Sequence, residues 1–281
     1  MLDSGLKKEL QIFATQIRIA MMEEFLARGF GHLGGSLSIA DLLSVLYGKV
    51  MKIDPQNPGW EGRDYLVLSK GHAGPALYAT LALRGYFDRE VLKTLNQPGT
   101  NLPSHPDRNK TIGIDMSTGS LGQGISQAAG AALGFKLQGK TNKVYAIVGD
   151  GECNEGQVWE ATLFARQRKL DNLIVFIDNN GKQLDGYTRD ICDMGDFCSK
   201  FESFGWHAQS VDGNDVEQVY DAIDKASLIK DKPSVIVLNT VKGKGVKFVE
   251  DTVLNHHIYI SREQAIDAIN GLKAELAGLI S

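Results

Sequence analysis

Short β-branched and apolar runs alternate along this chain with longer stretches in which apolar residues recur every three or four positions, the signature of strands separated by helices. Residues 6–28 carry Leu6, Leu10, Phe13, Ala14, Ile17, Ala20, Met21, Phe25 and Leu26 at helical intervals and stop at Gly29, which predicts an amphipathic opening helix. Ser38, with Asp41 three residues on, predicts a capped second helix over 39–47 that ends near Gly48. The run 64–69 reads as a buried strand and 75–84 as the helix after it. Two further runs, 144–148 and 173–177, read as parallel strands. Between them, 154–169 places Val158, Ala161, Thr162, Phe164 and Ala165 at helical spacing, giving strand, crossover helix, strand. A strand over 206–211, a helix over 216–228, a strand over 234–240 and a helix opened by Ser261 and running through Leu276 complete the pattern. The predicted fold is α/β: one domain over 1–281, with a doubly wound, mainly parallel sheet and helices on both faces.

The remaining segments are less regular. Residues 87–95 read as a short helix, and 96–116, with Pro98, Pro103 and Pro106, as a long loop packed over a site. Residues 121–137 read as a buried helix whose Gly122, Gly124, Ala128, Ala129, Gly130, Ala131 and Ala132 permit close packing, naturally at a subunit contact. Residues 183–200 read as an irregular loop with a turn at Asp185-Gly186.

Composition narrows the partners. A length of 281 residues with 43% hydrophobic content suits one large domain. The net charge of −4 offers no basic field for nucleic acid or an anionic membrane surface. Three cysteines, Cys153, Cys192 and Cys198, neither pair evenly nor show metal-ligand spacing. Residues 1–10 are charged and amphipathic rather than a signal sequence, and no apolar run is long enough to span a bilayer. A soluble, cytoplasmic protein is expected.

The candidate chemistry sits at the carboxyl ends of the two central strands, where open α/β sheets bind ligands. Asp150 offers a hard anionic oxygen and Asn180 a neutral one, a pair suited to a divalent ion of the Mg2+ type that leaves room for phosphate oxygens. Gly149 and Gly151 let the backbone approach a diphosphate, and the helix starting near Asn154 points its N-terminus at that charge. The competing reading of Gly149-Asp150-Gly151 is a bare turn with a capping aspartate.

Taken with Gly31-His32, Leu68 to Ala73, Ser104-His105-Pro106, Ser117 to Gly124, Gly149 to Ala161 and Lys242-Gly243-Lys244-Gly245, the chain resembles the transketolase family over nearly its whole length, matching the first part of a full-length member. The resemblance implies thiamine diphosphate and Mg2+, with Ca2+ or Mn2+ as substitutes, and a metal shell of Asp150, Asn180 and the Lys182 carbonyl. It implies cofactor contacts from Lys70, His72, Gly119, Leu121, Gly151, Leu184, Lys242 and His256. His32 and His105 would bond donor hydroxyls, His72 would meet cofactor and substrate, and Glu155 would lie at a subunit contact. The segment Asn255-His256-His257 departs from the Trp-His-Gly common in relatives, which leaves a role open to His257 as well. For His257 and His207 the simpler reading is a packed or solvated ring, and for Lys242 a solvated loop lysine.

The resemblance also implies a partner. In this family the glutamate that activates the cofactor pyrimidine comes from the next domain across a dimer interface, and most arginines that read a sugar phosphate lie beyond this part. The expected function is therefore that of the amino-terminal subunit of a split transketolase acting on sugar phosphates, joined by a carboxyl-terminal partner chain in an α2β2 complex, with the pentose phosphate pathway as default. Competing readings are a 2-oxo acid dehydrogenase α-like or deoxyxylulose-phosphate-synthase-like subunit, or a non-catalytic thiamine diphosphate binder.

Overall fold

The computed structural model describes residues 2–281; Met1, where the expected amphipathic start begins, lies outside them. Numbered in chain order, the strands are β1 (Phe30–Gly31), β2 (Tyr65–Leu68), β3 (Val144–Gly149), β4 (Leu173–Asn179), β5 (His207–Asp212), β6 (Ser234–Asn239) and β7 (Ile258–Tyr259). β2 to β6 form one sheet in the order β2-β3-β4-β6-β5, and all of its pairings are parallel.

Strand alternation divides the core between the two faces. Leu66, Leu68, Tyr145, Ile147, Ile174, Phe176, Ile236 and Leu238 pack under helices Ser4–Arg28, Ala40–Val45, Gly74–Leu83, Val216–Leu228 and Arg262–Ile280. Val67, Val144, Ala146, Val148, Leu173, Val175, Ile177, Val235 and Val237 pack under helices Gln123–Leu137, Gly156–Gln167 and Phe197–Ser203. The chain steps forward from β3 to β4 and on to β5 with its helices on the second face. It then steps back to β6 with helix Val216–Leu228 on the first, as right-handed crossovers require.

Several expectations need correction. Ser38 does not cap the second helix, which begins at Ala40 after an uncapped Ile39. The Ser38 hydroxyl instead donates to the Asp178 carboxylate at 2.7 Å, because a buried charge is the stronger acceptor. That helix does not stop at Gly48 but widens into a turn over Leu46–Val50. There the missing Cβ of Gly48 makes room for Leu10, whose Cδ2 would lie 2.8 Å from it. The crossover helix starts at Gly156, after a 3-10 turn over Gly151–Asn154. The 87–95 segment is a 3-10 helix over Arg89–Thr94. The 183–200 loop contains helices Thr188–Ile191 and Phe197–Ser203, the latter anchored in the core by Phe197 and Phe201. On helix Gln123–Leu137 only part of the small-residue surface is used within the chain. A Cβ on Gly124 would lie 2.5 Å from Ser69 Cα, while Gly130 and Gly134 face open space. Among the described residues no helix is long and apolar enough to cross a membrane.

Candidate active site

Four strands of one parallel sheet end side by side, so the loops after β2, β3, β4 and β6 deliver Lys70, Asp150, Asn180 and Lys242 to a single crevice. They line a cavity of about 160 Å3 with Gly35, His72, Leu121, Gly149, Gly151, Glu152, Lys182, Gln183, Leu184 and His256. Most of the cofactor and metal residues expected from the sequence thus converge. Leu184 reaches the rim and is 60% exposed. Gly119 lies beside rather than in the cavity. Its φ of +146°, and a His105 ring that would stand 3.0 Å from any Cβ at this position, demand glycine there.

Beneath the cavity floor lies Asp178, which is fully buried. It accepts from Lys70 Nζ at 2.6 Å, Ser38 Oγ at 2.7 Å, Asn180 Nδ2 at 2.7 Å and Thr240 Oγ1 at 2.5 Å. Burial alone would raise its pKa, but the Lys70 charge and these hydrogen bonds outweigh it and hold the carboxyl below its ordinary value. Because the Asn180 amide nitrogen is committed to Asp178, its Oδ1, which accepts from the Lys182 amide at 3.2 Å, is the atom whose remaining lone pair can meet a cation. Asp150 accepts from the Gly151 and Gly181 amides at 2.8 and 2.7 Å, and burial, then the Asp178 charge, pushes it up to about 6. The Lys182 carbonyl is already taken by Lys242 Nζ at 2.8 Å, so serving a cation requires that lysine to turn away.

The two lysines differ in their partners. Lys70 is neutralised by Asp178, whereas among the described residues no carboxylate pairs directly with Lys242, whose other neighbour is His256 Nδ1 at 3.3 Å. Lys242 is 3% exposed, and burial pushes its pKa down to about 8. A buried cation of this kind, next to the Asp150 carboxylate, which no lysine or arginine pairs with directly among the described residues, and an oriented amide oxygen, fits a diphosphate carrying a divalent ion. Its loop is set from below by a buried network. Arg18 pairs with Asp41 and donates to the Lys244 carbonyl at 3.1 Å, while Asn214 bridges Asp41 and the Val241 amide.

Above the cavity stand the histidines. β1 and β7 pair antiparallel, Phe30 with Tyr259 and Gly31 with Ile258, and this two-residue ribbon carries His32 to the loop of His256 and His257. The His32 ring lies 5.5 Å from His72, 5.9 Å from His105, 5.3 Å from His256 and 4.8 Å from His257. His72 and His256 are 4.5 Å apart. Burial, then the charges of His257, His105 and Lys242, pulls His32 down to about 4. Burial and Lys242 pull His256 down to about 3, and burial and His256 take His72 well below its ordinary value. Burial also lowers His105. His32, His72, His105 and His256 are therefore neutral at pH 7, so each of these four rings has one nitrogen to donate and one to accept.

His257, read as packed or solvated, is an exposed ring that packs edge-on against His32. His207 lies apart at the start of β5. Glu155 also stands apart, exposed at the N-terminus of helix Gly156–Gln167 with its Cβ 2.8 Å from where one on Gly122 would sit. The carboxylate that the structure buries beside the cavity is Glu152, which accepts from Ser69 Oγ at 2.5 Å and from the Gly122 and Gly149 amides at 2.9 and 3.0 Å. Glu152 and Asp178 are the polar site residues that sequence reasoning missed. An acidic residue directly after Gly-Asp-Gly, and one ending an otherwise apolar strand, were the available signals.

A parallel sheet whose carboxyl edge joins buried lysines, buried carboxylates and a group of neutral histidines defines an α/β domain built for a phosphorylated cofactor. Comparison with known proteins narrows the class: residues 10–270 match the transketolase thiamine diphosphate binding domain, and the chain belongs to that family. It is 51% identical to "6-deoxy-6-sulfo-D-fructose transketolase subunit SqwG" of Clostridium sp. (strain MSTE9), over 95% of this chain and 97% of the relative. It is 38% identical to a subunit of the apulose-4-phosphate transketolase of Actinobacillus succinogenes, over 87% and 88%, and 36% identical to human transketolase, over 94% of this chain but 42% of that protein. The solved structure of Pichia stipitis transketolase in complex with sedoheptulose-7-phosphate superposes with a TM-score of 0.87 at 31% identity, over 96% of this chain and 41% of that one.

Proposed function

We propose that this chain is the cofactor-diphosphate subunit of a two-chain transketolase, which moves a two-carbon ketol unit from a ketose donor to an aldose acceptor with thiamine diphosphate and Mg2+. The observation that carries the reading is the convergence of four neutral histidine rings on a cavity whose floor holds a buried lysine without a carboxylate partner. Asp150, Asn180 Oδ1 and the Lys182 carbonyl would hold the metal. Lys70, Lys242, His72 and His256 would meet the diphosphate, with Gly119, Leu121, Gly151 and Leu184 shaping the cleft. When bound, the cofactor supplies the electron sink for the two-carbon unit. His32 and His105 would orient the donor, since a neutral imidazole accepts from one hydroxyl while donating to another. The exposed Glu155 would face the partner.

Subunit organisation rests on relatives: two that are named as subunits are spanned almost whole by this chain. The partner is therefore read as a carboxyl-terminal chain in an α2β2 complex. We favour a donor ending in a sulfonate, from the 51% identity to a subunit named for 6-deoxy-6-sulfo-D-fructose. A phosphorylated donor of the pentose phosphate type is the second reading, supported by the likeness to the sedoheptulose-7-phosphate complex. The test is co-purification with the partner, light scattering, and a transfer assay with each donor. Negligible transfer by this chain alone and robust transfer by the pair is expected. Turnover without a second polypeptide would sink the two-chain reading, and no transfer by the pair from any ketose would sink the transketolase reading.

A further inference from the structure

The opening helix ends on Arg28, and its guanidinium carbon lies 4.1 Å from the centroid of the Phe30 ring. Phe30 meets His257 at 5.8 Å, and His257 stands edge-on to His32 at 4.8 Å. Arg28, Phe30, His32 and His257 line one cavity with Asn96 and Ser104, separate from the cavity that holds Lys70 and Lys242. Arg28 Nε is shielded from solvent and meets no acceptor, and among the described residues no carboxylate pairs with the guanidinium. Glu24, one helical turn earlier, does not serve it. It is fully buried, both of its oxygens lack partners too, and burial raises its pKa well above the ordinary value.

A cation in the last turn of a helix complements the helix dipole, which accounts for a positive charge here. It accounts neither for the seat of the guanidinium over the Phe30 ring nor for a desolvated N–H without an acceptor, which native structures rarely leave. We infer that Arg28, with Asn96, Ser104 and His257, forms a subsite for a tetrahedral oxyanion, the terminal sulfonate or phosphate of the ketose whose other end His32 and His105 orient. The inference rests on the transketolase reading of the histidine cluster. A planar fork matches two oxygens of such a group, and the amide of Asn96 and the hydroxyl of Ser104 can donate to the third. The enclosed part of the cavity is about 20 Å3, room for one water, so the anion enters from the open side, where Asn96 and His257 are exposed.

The experiment compares Arg28→Gln and Arg28→Lys with the parent, each assembled with the partner chain, on 6-deoxy-6-sulfo-D-fructose, xylulose 5-phosphate and the uncharged donor erythrulose. Arg28→Gln is expected to raise KM for the anionic donors at least tenfold, to leave kcat within about twofold, and to leave the erythrulose KM and thiamine diphosphate affinity unchanged. Arg28→Lys, which keeps the charge at the helix end, should recover part of the loss. The anionic donor with the larger rise identifies the group as sulfonate or phosphate. A parallel rise for charged and uncharged donors, or no rise for either, overturns the subsite. Should the parent transfer from no ketose, the functional reading fails separately. The subsite is then judged by NMR titration of the chain with methanesulfonate and inorganic phosphate: saturable shifts at Phe30 and His257 that Arg28→Gln abolishes support it, and shifts unchanged by the variant overturn it.

Discussion

Asp178→Asn keeps the shape of the buried side chain and removes its charge. Lys70, 1% exposed, then loses its counter-charge and keeps only neutral acceptors, the Gly35 carbonyl at 2.6 Å and the one oxygen of the new amide. The new amide presents one oxygen to donors from Ser38, Thr240 and Asn180, which the carboxylate had satisfied together. Removing one partner of a buried ion pair costs about 3–5 kcal/mol. An unfolding entropy of about 2.1 cal/mol/K per residue over the 281 residues amounts to about 0.6 kcal/mol/K, so Tm should fall by about 5–8 °C. Scanning calorimetry of the chain alone measures this, and a repeat with inorganic diphosphate and Mg2+ should show a smaller fall, since a bound anion neutralises Lys70 in turn. A fall below about 2 °C would refute the reasoning, because the Asp178 charge would then not be what balances the buried Lys70.

Stability should decline as pH drops from about 6.5 toward 4. His32, His72 and His256 have depressed folded pKa values, so in that window the unfolded chain binds protons the folded chain does not. Asp150, raised to about 6, acts in the opposite sense over this window, so the measure is the difference between chains: His72→Gln should lose less Tm than the parent between pH 7 and 5, and identical profiles would contradict this. Lys242 titrates at about 8 in the folded chain against about 10.4 unfolded, so its burial costs stability as pH falls through that range. Diphosphate binding above pH 8 should therefore take up a proton, visible by calorimetry in two buffers of different ionisation enthalpy. Gly34→Ala, whose Cβ would lie 2.4 Å from the Asn255 carbonyl oxygen, should cost about 1–3 kcal/mol of unfolding free energy, while Gly130→Ala, facing open space in a helix, should gain about 0.4–1. His105→Ala should lower the transfer rate more than the cofactor affinity, and equal losses would move its contact to the cofactor.

The sheet was legible because parallel strands buried on both faces are near-continuous apolar runs, and helix 216–228 because its apolar stripe is unbroken. The metal and lysine loops were legible because glycines mark where backbone must approach a ligand. The two-residue strands β1 and β7 carry no period at all, yet their pairing across more than 220 residues brings His257 onto His32. Ser38 was misread and Asp178 passed over for one reason. At the end of a strand and before a helix, each has a local role that pattern reading prefers, and only the tertiary fold shows them bonded to each other. Glu152 went unread because nothing in its local pattern shows that Ser69, 83 residues away, and two backbone amides close around its carboxylate.

The central claim is that this sheet edge holds a divalent ion and a diphosphate through Asp150 and Asn180. Calorimetric titration of thiamine diphosphate with Mg2+ into the purified chain tests it most directly, alongside Asp150→Ala and Asn180→Ala variants checked for an unchanged circular dichroism spectrum. The account predicts Mg2+-dependent binding by the parent and its loss in both variants, with the fold retained. Binding as tight in either variant as in the parent, or binding indifferent to Mg2+, would contradict it.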